Sequence, residues 1–181
     1  MRVLGVSGSL RAHSYNRGLL RAAQQVAPEG MTIELHDLAA LPLYDGDVEA
    51  AGDPAPVKAW KDALRAADAV LLSTPEYNYS TSGVLKNALD WASRPLLQTP
   101  LSDKPVALMG VGGGQGNTAL AQMHLRQVLT ATNSHVMRRP GLLVNAGRDK
   151  FDASGNLVDD RTREALVKLL QGLAAWKARL G

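Results

Sequence analysis

The chain contains no cysteine. Disulfides, thiolate-bound metals and a cysteine nucleophile are therefore excluded, and any electron transfer must run through a bound cofactor. Aromatic residues make up only 4%, with a single phenylalanine, Phe151. No uncharged apolar run reaches the roughly 18 residues that mark a membrane-spanning helix. There is no run of like charge: 20 Lys and Arg against 17 Asp and Glu leave a net charge of +3, spread along the chain. Nucleic-acid binders concentrate their positive charge, so neither nucleic acid nor membrane is expected as a partner. A mildly basic protein suits anionic small molecules. The G-x-x-x-x-G-K-[ST] loop and the G-x-G-x-x-G fingerprint are both missing, which argues against an ATP tail or a Rossmann-bound pyrophosphate. The opening residues MRVLGVSGSLRAHS hold a short apolar stretch but no A-x-A cleavage site; they are expected to form a first strand, and the cytoplasm is the expected compartment.

What is present is the composition of a globular protein: 45% apolar and 20% charged residues in a chain of 181. That length predicts one domain, residues 1–181, able to bury about 70% of its unfolded surface. Three short apolar runs, Val3 to Val6, Ala69 to Leu72 and Val106 to Val111, read as strands buried on both faces. Met31 to His36 alternates and belongs nearer a sheet edge. A fifth strand is expected at Gly141 to Val144, with a possible start at His135 to Met137. Between them lie apolar stripes at helical spacing: Leu19, Ala23 and Val26; Val57, Trp60, Leu64 and Ala67; Val84 to Ala92; Ala121, Leu125, Val128 and Leu129; and Leu166 to Trp176. Ser14, Ser80 and Asn117 are candidate N-caps. Leu41 to Pro56 reads as a long irregular connection. Alternating strands and helices predict a parallel α/β sheet with helices on both faces and ligands at the carboxyl ends of its strands.

Three loops leave those ends. The first, Gly8 to Arg17, enters a helix N-terminus, where free N–H groups and a partial positive charge favour anions. Ser9, Ser14, Asn16 and Arg11 add donors, and a terminal phosphate suits the set better than a merely capped helix. The second, Thr74 to Gly83, places Tyr77 and Tyr79 beside an amide and hydroxyls. Flat rings there serve either a planar ligand or ordinary loop and subunit packing. The third, Gly110 to Asn117, holds five glycines in eight residues. It permits close approach of backbone to a ligand, or is simply flexible. The four histidines, His13, His36, His124 and His135, show no metal spacing.

G-S-L-R-x-x-S-x-N-R after the first strand, followed by P-E-Y-N-x-S-x-x-G-x-L-K-N-x-L-D-W, resembles the NADPH-dependent FMN reductases of the flavodoxin-like superfamily. The resemblance extends to L-P-L-Y-D at Leu41 to Asp45 and F-D-x-x-G-x-L-x-D at Phe151 to Asp159. It implies a three-layer, flavodoxin-like, doubly wound five-stranded parallel sheet in the order 2-1-3-4-5. Ser9, Arg11, Ser14 and Asn16 then match the FMN phosphate loop. Pro75, Glu76, Tyr77 and Asn78 match the segment along the ribityl chain and ring, and Gly112, Gly113 and Gly114 the far side of the ring. Two positions depart from the pattern: Met109 and Gly110 stand where many relatives carry serine or threonine, and Ser82 where many carry proline.

The resemblance further implies bound FMN with NADPH or NADH as co-substrate, and electrons passed to a quinone, flavin, azo compound or metal oxyanion. It implies a homodimer or homotetramer in which Leu85 to Arg94 lies at the interface. No catalytic side chain and no metal is expected. Arg17, Arg138 and Arg139 are available to a nucleotide 2′-phosphate, although surface placement suffices to explain them. The alternative is a non-enzymatic flavodoxin-type carrier for a protein partner, but such carriers tend to be acidic. A phosphoacceptor domain on the same fold needs clustered acids where this chain has Gly5-Val6-Ser7 and Ser73-Thr74.

Overall fold

The computed structural model describes residues 1–181 apart from Gln115, Gly147 and Arg148. The strands are β1 (Arg2–Ser7), β2 (Thr32–His36), β3 (Ala69–Ser73), β4 (Pro105–Gly112), β5 (His135–Val136) and β6 (Leu142–Asn145). The helices are α1 (Tyr15–Gln25), α2 (Gly46–Ala51), α3 (Ala55–Ala66), α4 (Gly83–Ala92), α5 (Ala119–Ala131) and α6 (Asp160–Leu180). All pairings between strands are parallel, in the order β2-β1-β3-β4-β5. The predicted flavodoxin-like order is therefore the observed one. Its fifth position is filled by two pieces. Val106 pairs with Val70 on one side and Val136 on the other; Met109 pairs with Ser73 and Leu142. Both β5 and β6 thus lie along the outer edge of β4, interrupted by residues 137–141.

The period-two alternation of the strands decides how the core is divided. Val3, Ala69, Leu71, Ala107 and Met109 face one core, completed by Leu19, Leu20 and Ala23 of α1 and Leu166, Leu169, Leu170 and Leu173 of α6. Leu4, Val6, Val70, Leu72, Val106 and Leu108 face the other, with Val57, Trp60 and Leu64 of α3, Leu85, Leu89 and Trp91 of α4, and Leu125 and Leu129 of α5. That is why the central strands read as unbroken apolar runs. Each fully buried leucine or valine contributes about 1.5–3 kcal/mol, so both layers hold the sheet between them. Trp60 is fully buried, and its indole N–H donates to the Ala88 carbonyl at 2.8 Å, which joins α3 to α4.

The helix starts separate into expected and unexpected ones. Ser14 caps α1 by accepting from the Arg17 N–H. Ser80 does not cap α4; Ser82 does, accepting from the Leu85 N–H at 3.3 Å. Asn117 adopts φ 54 outside α5, and Thr118, which stands at that start, offers no side-chain cap. The stretch read as irregular from Leu41 to Pro56 contains α2, capped by Asp45 through the Asp47 N–H. None of its residues is buried, so no apolar stripe announced it.

At the end of edge strand β2, the half-buried His36 ring lies 5.1 Å from the ring of Trp60. Burial holds its pKa below the ordinary 6.5, against the opposing pull of Asp37. The unfolded chain therefore takes up this proton first as pH falls. Stability attributable to His36 is full at neutral pH and declines as pH drops from 6.5 through the folded pKa. Urea midpoints measured at about pH 7.5 and pH 5.5 should differ less in His36→Gln than in the wild type.

Candidate functional site

Ser7, Ser73 and Met109 are in register across the sheet, so the three loops leave it at one level. The first loop lies against the second. The Gly8 N–H donates to the Ser73 carbonyl at 2.9 Å. A Cβ on Gly8 would fall 2.8 Å from Ser82 Oγ and 3.0 Å from Pro75 Cδ, so only glycine allows this contact. Beyond Gly8, the backbone N–H groups of Leu10, Arg11, Ala12, His13, Tyr15 and Asn16 have no acceptor among the described residues. They end at the N-terminus of α1, where an anion is favoured. Ser9 and Ser14 are buried beside them, and Arg11 is exposed. Ser14 Oγ accepts from the Arg17 N–H at 3.4 Å, which leaves its own proton to give.

Asn16 is placed differently from the other predicted phosphate contacts. Its side-chain amide donates to the Val111 carbonyl at 3.1 Å and accepts from the Val111 N–H at 3.0 Å and the Ser73 hydroxyl at 2.9 Å. The side chain fastens α1 to β3 and β4, and the backbone N–H has no acceptor among the described residues. Glu76 is likewise turned toward the fold. Its Oε2 accepts from the N–H groups of Leu120 and Ala121 at 3.0 and 3.1 Å, supplying the cap that Thr118 does not.

The second loop continues from buried Pro75 into a tight turn. Tyr77 and Ser80 exchange two backbone hydrogen bonds of 3.0 Å, with Asn78 and Tyr79 at φ 50 and 63. Two consecutive left-handed residues define a type I′ turn, which asparagine tolerates and tyrosine adopts at a cost. Tyr77 and Tyr79 are 49% and 75% exposed, so packing within the chain does not account for them. Ser80 Oγ lies 2.9 Å from His124 Nδ1 of α5.

In the third loop the glycines divide. A Cβ on Gly110 would strike the Thr74 carbonyl and Thr118, and one on Gly112 the Asn117 carbonyl. These two serve the packing of backbone on backbone. Gly113 and Gly114 face open space and form the free rim of the site. Gln115, read as part of this loop, lies outside the described residues.

The other basic candidates lie elsewhere. Arg17 is bonded to Asp37 and to the Ser9 carbonyl. Arg138 lines a cleft of about 360 Å³ with Arg126, His135 and Trp176, along the outer edge of β4 and away from the three loops. Sequence reasoning missed Ser7, whose Oγ accepts from the Ser9 N–H at 3.1 Å, and Asp37. Neither falls within a loop motif; only the fold brings them to it.

A doubly wound parallel sheet whose first strand-to-helix corner carries N–H groups without an acceptor among the described residues, and which has no P-loop, defines a flavodoxin-like fold with an edge suited to an anion. Residues 1–149 match the family of NADPH-dependent FMN reductases. An NAD(P)H-dependent FMN reductase of Pseudomonas aeruginosa is 49% identical over 180 residues, 99% of this chain and 97% of that protein. An NADPH:quinone oxidoreductase of Arabidopsis thaliana is 44% identical over 186 residues, covering 99% and 93%. Among solved structures, the flavoenzyme NAD(P)H:(acceptor) oxidoreductase FerB of Paracoccus denitrificans superposes with a TM-score of 0.90 at 33% identity, covering 99% of this chain and 98% of that one. The chain belongs to the NADPH-dependent FMN reductase family.

Three substitutions separate the roles of the fold-facing residues. Asn16→Ala leaves both Val111 backbone groups and the Ser73 hydroxyl without their partner, and should cost about 1–3 kcal/mol in urea unfolding. Glu76→Ala should cost about 1 kcal/mol through the lost cap, and Glu76→Gln, whose amide oxygen still accepts, should recover part of it.

Proposed function

We propose that this chain is an NAD(P)H-dependent, FMN-containing reductase that passes electrons to a small acceptor of the quinone class. The observation that carries the reading is the set of backbone N–H groups of Leu10, Arg11, Ala12, His13, Tyr15 and Asn16, which have no acceptor among the described residues and gather at the start of α1. Ser9, Arg11 and Ser14 complete an anion cradle there, and the Asn16 backbone contributes its N–H. Pro75, Tyr77 and Asn78 border the ribityl chain and ring, and Gly113 and Gly114 leave room for a flat ligand at the opposite rim. The residues present therefore fit FMN. FMN, when bound, supplies the acceptance of hydride from the nicotinamide and its onward transfer. The protein's part is to hold the phosphate, fix the ring plane with rigid backbone and keep one face open to two successive substrates. Whole-chain similarity to proteins named as FMN reductases and quinone oxidoreductases supports an enzyme over a carrier.

The same reading makes residues 1–181 a single cytoplasmic domain acting as a homodimer or homotetramer. No described helix is long and apolar enough to cross a membrane. An open groove of about 580 Å³ between α4 and α5 is lined by Gly83, Lys86, His124 and Val128. Met123 and Tyr79 are 63% and 75% exposed. Large exposed apolar groups of this kind favour a subunit contact through α4.

Purified protein should show a flavin absorbance spectrum after desalting, or take up FMN at micromolar concentrations. In stopped flow, NADPH or NADH should bleach that spectrum and a quinone restore it, with ping-pong steady-state kinetics. Absence of FMN binding at micromolar concentrations ends this reading. Slow bleaching by NAD(P)H with fast electron transfer to a protein partner would turn it to the carrier.

A further inference from the structure

The first loop is held at both ends by one residue that does not belong to the cradle, at Ser14 by its backbone and at Ser9 by its side chain. Arg17 stands in the first turn of α1. Its backbone N–H holds Ser14 Oγ at 3.4 Å, and its Nε donates to the Ser9 carbonyl at 3.1 Å. Its Nη2 reaches both carboxylate oxygens of Asp37, at 3.0 and 2.9 Å. Asp37 is itself fixed just beyond β2, where Oδ1 also accepts from the Ala39 N–H at 3.0 Å. That N–H, with Arg17 beside it, holds the carboxyl below the usual range, so it is ionised at neutral pH. The Ser9 carbonyl takes a further hydrogen bond from Ser7 Oγ at 3.3 Å.

A trans peptide is planar, and its C=O and N–H point in opposite directions. Holding the Ser9 oxygen inward toward Arg17 and Ser7 therefore turns the Leu10 N–H outward. Leu10 carries the first of the N–H groups without an acceptor among the described residues. Ser9 and Asp37 engage Nε and Nη2, two of the three guanidinium nitrogens.

We propose that Arg17 and Asp37 form a clamp that presets the phosphate loop, so that Arg17 is a positioning residue for flavin phosphate rather than a phosphate or nucleotide ligand. The clamp links edge strand β2 to the cradle through one ion pair. Its role rests on the FMN assignment made above. Two opposing electrostatic effects separate it from a direct contact. If Arg17 acted by attraction alone, lysine would replace it. If Asp37 acted only as a nearby negative charge, its removal would tighten a dianionic ligand. A clamp requires the opposite in both cases, because lysine has no Nε–H at that position and asparagine cannot hold the guanidinium as strongly.

The test titrates the apoprotein with FMN and with riboflavin, which lacks the phosphate, following flavin fluorescence. Arg17→Lys, Arg17→Gln and Asp37→Asn should each raise the FMN dissociation constant about tenfold and change that for riboflavin by less than about twofold. The Arg17→Gln, Asp37→Asn double variant should lose no more than the Arg17→Gln variant alone, because the pair acts as a unit. Tighter FMN binding by Asp37→Asn, or wild-type binding by Arg17→Lys, overturns the clamp in favour of direct charge. Equal weakening of FMN and riboflavin overturns it in favour of a general structural role. Wild-type protein that binds FMN no better than riboflavin would instead remove the phosphate assignment, and the clamp with it.

Discussion

The buried amide of Asn16 is the point at which the fold and the site become one object. It returns both backbone hydrogen bonds of Val111, on the strand that has no further neighbour at that level except β6, and it takes the hydroxyl of Ser73 from the strand between. One side chain thus sets the height of α1 against the carboxyl ends of β3 and β4. A buried amide gains only modest net free energy from its bonds, but the groups it satisfies are costly to leave bare. Any shift of α1 along the sheet would break three of them together. The N-terminus of α1, and with it the row of unpaired N–H groups, is therefore held by a constraint in the core and not by the loop's own preferences.

A similar economy joins the second loop to the third. Thr118 opens α5 without a side-chain cap, and the carboxylate of Glu76 crosses from the neighbouring loop to supply one. Pro75 and Ser82 crowd Gly8, and Thr74 crowds Gly110. The three loops brace each other through contacts that admit no Cβ. What remains unbraced is the set of groups a planar phosphate ester needs: N–H donors at one end, exposed Tyr77 along the side, and Gly113 and Gly114 at the rim. A site built from backbone held by a packed scaffold is already organised before the ligand arrives, which reduces the ordering cost of binding.

The sheet was legible because burial on both faces writes continuous apolar runs, and α1, α3, α4, α5 and α6 because each presents an apolar stripe to one of two cores. Helix α2 was not, since it buries nothing. The split of the fifth strand position was half visible, as two candidate segments whose joint use only pairing with β4 reveals. The motifs marked three loops that the fold brings to one level of the sheet, but not which way each polar residue turns. Ser9, Arg11 and Ser14 lie at the cradle. Asn16 and Glu76, equally polar and in the same motifs, face inward, and Gly112 packs on Asn117 while its neighbours stay open. A residue type advertises hydrogen-bonding capacity; its partner is set by tertiary register, here by Val111 being level with α1 and by Leu120 lying beside the second loop.

Arg17 shows the consequence most clearly. Read in sequence, Arg17 is either available to a nucleotide 2′-phosphate or simply a surface residue. In the fold, Arg17 is bonded to both carboxylate oxygens of Asp37 and to the Ser9 carbonyl. The positive charge is then not lost to the site but converted into orientation, through the fixed geometry of the peptide that follows Ser9. Lacking cysteine, the chain has no redox group of its own, so its contribution to electron transfer must be of this kind: N–H groups, aromatic faces and glycine rims held where a flavin's own chemistry can act.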